Sequence, residues 1–151
     1  MTARRFPERS HADLWLDFVE GMGGTRNPKP QRVNEVGNLI SWFHLVASEG
    51  TPEEALAAFY AYESQVPRVA REKDRGLREM YAADAKTRNY FTLHTTADVY
   101  HSQVWRKQLE KRVNANPKTA EKALAAAESA AKALWTALDG IELRRSSGKA
   151  A

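Results

Sequence analysis

The stretch Phe91-Thr92-Leu93-His94-Thr95-Thr96-Ala97-Asp98-Val99-Tyr100-His101 decides how this chain reads. It shows no strand-like alternation, and His94, Asp98 and His101 stand at i, i+4 and i+7. On an α-helix those positions project from one face on successive turns. The spacing therefore predicts a helix from near Thr87 to about Val113 that carries two imidazoles and a carboxylate side by side.

The same three- and four-residue periodicity extends outward in both directions. Thr51-Pro52-Glu53-Glu54 is a helix start, with a Thr N-cap, proline at the first helical position and a Glu reaching back. That helix runs through Leu56, Phe59, Tyr60 and Glu63. Pro67 should kink it, since proline removes a backbone donor and its ring crowds the previous turn, and helix resumes to about Tyr81. Before it, a helix from Gln31 to Ser48 directs Val33, Val36, Ile40, Phe43 and Ala47 inward and closes at Gly50. The first helix opens at Ser10, where Asp13 completes a variant of the capping box. It buries Leu14, Trp15, Phe18 and Met22 and ends at Gly23-Gly24. Downstream, Asn114-Ala115-Asn116-Pro117 is a turn. An alanine-rich helix follows from Lys118 to Leu138 and stops at Gly140. The fold class is all-α, about five helices in one domain over residues 1–143, with a disordered basic tail over 144–151.

Composition bounds the function. The 151 residues suit one domain, and 28% charged with 42% apolar residues is an ordinary globular balance. No window approaches the roughly 18 apolar residues of a membrane span. The opening MTARRFPERSH has no apolar core, so a signal peptide is not expected and a cytoplasmic location is. Of the net charge of +4, Arg144, Arg145 and Lys149 supply three in the tail. The body carries no basic stripe of the kind that nucleic-acid readers display. Cysteine is absent, which excludes thiolate metal sites and cysteine nucleophiles.

Any metal must then be held by His, Asp and Glu, a donor set suited to non-haem iron or manganese. Two imidazoles and one carboxylate match iron sites that activate dioxygen. The bland alternative is that each histidine is structural. Glu63 lies near Phe59, Tyr60 and Val66, where an unpaired carboxylate is costly unless a cation or water meets it. His44 has no partner at ligand spacing and reads as structural or exposed. Lys73 alone reads as a surface lysine.

The runs Phe59-Tyr-Ala-Tyr-Glu-Ser-Gln-Val-Pro67 and Phe91 to Ser102 together resemble the CADD-like branch of the TenA/PqqC superfamily, and the likeness extends from about His11 to Ile141. The resemblance implies a haem-oxygenase-like helical bundle and a dimetal oxidase with two irons, or manganese and iron, and no haem. Glu63, His94, Asp98 and His101 match four of the family's six metal ligands. His11, in His11-Ala-Asp-Leu-Trp15, matches a fifth. The sixth, a Glu, falls on Arg4, and Glu8 could replace it only with local rearrangement. Tyr62 and Lys73 match a tyrosine beside the ligand Glu and a lysine near the metals. The branch is implicated in making para-aminobenzoate by oxidising a tyrosine of its own chain, with the lysine as the source of the amino group. Dioxygen, a small-molecule or self-derived substrate and a homodimer are the partners it implies.

By the same resemblance about a third of the bundle, including the consumed tyrosine, is missing at the N-terminus. A misassigned start, a gene fragment or a short form completed by dimerisation would each account for that. Two other functions stay open: a PqqC-like oxidase that needs no metal, and a non-catalytic helical module for binding or dimerisation. A thiaminase is disfavoured by the missing cysteine nucleophile, and no segment marks the proximal histidine of a haem oxygenase.

Overall fold

A computed structural model describes residues 9–27 and 32–147. The all-α class holds: the described residues form six α-helices and one 3-10 turn, with no strand. The helices are α1 (His11–Gly21), α2 (Asn34–Glu49), α3 (Pro52–Glu63), α4 (Val66–Tyr81), α5 (Ala85–Ala115) and α6 (Ala120–Ser147). The count exceeds the expected five because the chain is interrupted before Pro67. α3 ends at Glu63, and Pro67 is buried in the first turn of α4, where a missing N–H costs no hydrogen bond.

The local start signals act as their residue types dictate. Ser10 caps α1 by accepting from the Asp13 backbone N–H at 3.1 Å. At α3, Thr51 and Glu54 form a complete capping box. No described helix is long and apolar enough to cross a membrane.

The chain divides into two compact units, and α5 contributes its first part to one and its second part to the other. The first unit holds α1, α4 from Pro67 and α5 to Ala97. Its core is Ala70, Leu77 and Phe91, with Phe18, Ala83 and Tyr90 packed against them. Phe18 meets Phe91 edge-on, the ring centroids 5.1 Å apart. Leu14 is buried as expected, but Trp15 and Met22 are 45% and 40% exposed, and Asp17 is buried beside Leu14 on α1. Gly21 is required by close approach, because a Cβ there would stand 1.9 Å from the Thr87 hydroxyl.

The second unit holds α2, α3, the rest of α5 and α6. Val46, Ala58 and Ala130 form its core, with Trp42 and Phe43 against them. The inward face of α2 differs from expectation by one residue at two places. Ile40 is 54% exposed while Leu39 is partly covered, and Val46 rather than Ala47 is buried. α6 does not stop at Gly140. Ala123, Ala126, Ala130, Ala137 and Gly140 form its buried face. These small side chains let α6 approach α2 and α3 closely, and a Cβ on Gly140 would come within 2.8 Å of the Glu35 Cβ. This glycine serves packing rather than termination. The helix continues through Arg144 and Arg145 to Ser147, so the first part of the expected disordered tail is helical, with cations in the turn where the helix dipole favours them.

Candidate metal centre

Three of the residues singled out from sequence converge in the second unit. Glu63 ends α3, and Asp98 and His101 lie one turn apart on α5. Each offers one ligand atom, and the three atoms lie within 4.8 Å of one another. His101 Nδ1 is 3.1 Å from Asp98 Oδ1 and 3.8 Å from Glu63 Oε2. A carboxylate only accepts, so in this arrangement Nδ1 carries the proton. A cation among the three would take the place of that proton, as metal binding to neutral imidazole requires.

The cluster gathers two acidic groups and one imidazole. Asp98 is buried and Glu63 partly so, and two carboxylates this close repel unless a positive charge lies between them. Tyr62, half-buried beside them and edge-on to Phe43, has its phenol pushed up first by burial and then by the charges of Glu63 and Asp98. The donor set, two carboxylates and an imidazole without sulfur, fits iron or manganese.

Sequence reading misses one residue of this centre. Trp105 donates its indole N–H to Glu63 Oε2 at 2.8 Å. It follows His101 by four residues, so extending the i, i+4, i+7 ladder by one more turn would have found it.

The first unit brings two more of the expected residues together. His11, exposed at the first turn of α1, packs against His94, the ring centroids 4.9 Å apart. His94 is buried, and its Nδ1 is 2.6 Å from the Tyr90 carbonyl. A carbonyl cannot donate, so Nδ1–H is the donor, and in the neutral imidazole Nε2 then carries the lone pair. Metal-binding histidines are oriented in this way by a hydrogen bond from the other nitrogen. Lys73 is exposed on α4 of this unit, and His44 is exposed on α2 of the other. Glu8 and Arg4 lie outside the described residues.

The scaffold is all-helical, and its carboxylate–imidazole cluster is a donor set of the kind that suits a hard redox metal. Comparison with known proteins agrees: the family described as iron-containing redox enzyme matches residues 3–135, and the chain belongs to that family. Similar proteins include the 4-aminobenzoate synthase of Nitrosomonas europaea, 36% identical over 137 residues. That of Chlamydia trachomatis is 32% identical over 139 residues. The matches cover 89% and 87% of this chain but 55% and 57% of those proteins, so the chain spans little more than half their length. The resemblance carried by residues 59–67 and 91–102 is thereby established, and with it the haem-oxygenase-like class.

Proposed function

We propose that this chain is the metal-holding part of a non-haem dimetal oxidase acting in 4-aminobenzoate formation, with Glu63, Asp98 and His101 among its ligands. The observation that carries the reading is the convergence of these three groups within 4.8 Å, two of them carboxylates with no lysine or arginine ion-paired to them among the described residues. The family's iron and the activity named for its relatives point the same way.

Iron, when bound, supplies the dioxygen activation and electron transfer that side chains lack. The chain's own residues bind and orient. Asp98, buried on α5, and Glu63, held by the Trp105 indole, present fixed negative charge, while His101 is exposed at the edge of the cluster. Tyr62 keeps its proton at neutral pH and can donate it beside the carboxylates. His11 and His94 are proposed as further ligands, His94 through Nε2. Two metals without haem, Lys73 as the amino donor, and a cytoplasmic homodimer complete the reading.

Loaded with ferrous iron under anaerobic conditions and then mixed with air-saturated buffer, the protein is expected to consume dioxygen faster than the same iron free in solution. An oxygen electrode measures this. Uptake equal to that of free iron would contradict the oxidase reading.

A further inference from the structure

We infer that Trp105 is a positioning residue that holds the Glu63 carboxylate in its metal-binding orientation, an inference that rests on Glu63 being a ligand. The indole nitrogen can only donate, so the direction of the 2.8 Å hydrogen bond to Oε2 is fixed. A carboxylate has about four acceptor positions, and the indole occupies one, leaving the others for a cation.

The donor is itself held in place. Trp105 stacks on Phe59, the centroids 5.9 Å apart and the planes at 28°, and Phe59 packs on Phe43 at 5.1 Å. Phe59 precedes Glu63 by four residues on α3, so the helix that carries the acceptor also clamps the donor. Glu63 is the last residue of α3, and its side chain has three rotatable bonds. Apart from the indole, the Glu63 carboxylate faces His101 Nδ1 at 3.8 Å, beyond hydrogen-bond distance. Asp98, by contrast, is held by its burial and by His101. Trp105 thus acts on the metal through Glu63, in the way that outer partners orient metal ligands, where loss of the partner weakens binding by about 10- to 100-fold.

A purely structural tryptophan would fill space with an incidentally satisfied N–H. A double-mutant cycle separates the two roles. Cobalt(II) is titrated to millimolar concentration into the wild type, Trp105→Phe, Glu63→Gln and the double variant, with visible absorption and thermal melting followed in each. Trp105→Phe keeps a ring on Phe59 but loses the donor. It should weaken cobalt binding by about 10-fold or more, and it should change affinity by less than about twofold in the Glu63→Gln background. Wild-type affinity in Trp105→Phe, or an equal loss in both backgrounds, overturns the inference. Should Trp105→Phe not fold, the indole N–H resonance of Trp105 in the intact protein takes its place. That resonance should shift on Glu63→Gln and broaden with cobalt; a resonance indifferent to both overturns the role. A wild type that binds cobalt no better than Asp98→Asn removes the metal reading itself, and this inference with it.

Discussion

Asp98→Asn is expected to weaken ferrous-iron binding by at least about 100-fold while leaving helix content unchanged. The amide matches the carboxylate in size and its oxygen can still accept from His101 Nδ1, now 3.1 Å away, so the packing of α5 survives. What disappears is one negative charge in a buried position. A unit charge acting on another at about 4 Å is worth about 4 kcal/mol at an effective dielectric constant near 20, and more on a dication, so a hundredfold loss is a conservative figure. Anaerobic titration calorimetry measures it, with circular dichroism as the control for folding. His101→Ala should behave similarly. His44→Ala, on the exposed side of α2, should bind iron as the wild type does. Unchanged affinity in Asp98→Asn would defeat the ligand assignment.

The largest loss of stability is expected at Asp17, which is buried on α1 and takes no part in the proposed chemistry. Its carboxylate is buried, with hydrogen bonds from Arg9 and from Arg26, the latter at 2.8 Å, and with Lys86 at 3.6 Å. Arg9 first and Arg26 next hold the carboxyl well below the usual carboxylate range, and burial opposes them only in part. Removing the charge leaves three cations around a neutral group, a change that ranks among the more damaging ones. Asp17→Asn should therefore lower the melting temperature clearly at pH 7. The pH dependence has a definite sign. A carboxyl depressed in the folded state stabilises it above the unfolded value of about 3.9, and that contribution is lost as pH falls through the folded value. The gap in melting temperature between wild type and Asp17→Asn should stay constant from pH 7 to about 5 and narrow below about 4. A gap that is absent at pH 7, or that widens in acid, would contradict this account of the cluster.

Local rules were legible wherever the deciding atoms lie within one turn of each other. Ser10 with Asp13 and Thr51 with Glu54 are contacts three residues apart, and both helix starts form as their residue types require. The ladder of Asp98 and His101 is likewise local, and the break before Pro67 follows from proline's own geometry. What escaped depends on contacts distant in sequence. Asp17 looks like a solvent-facing residue until Arg9, Arg26 and Lys86 are seen to close on it, and Lys86 arrives from α5. Gly140 reads as a helix stop because glycine disfavours helix. Only the approach of Glu35 shows that its missing side chain serves packing. On α2, apolar residues at 39, 40, 45, 46 and 47 satisfy two neighbouring faces equally well, so periodicity alone could not choose between Ile40 and Leu39. Glu63 was found by its apolar surroundings, but its contact with Trp105 joins α3 to α5 across 42 residues.

The central claim is that Glu63, Asp98 and His101 close on a metal. Its most direct test is the iron content of the unaltered chain after anaerobic ferrous loading and removal of excess metal, set beside that of a variant carrying Glu63→Gln, Asp98→Asn and His101→Ala together. The arrangement of donors predicts at least about one iron per chain in the former and almost none in the latter. Less than about 0.2 iron per unaltered chain, or equal iron in both proteins, would contradict it.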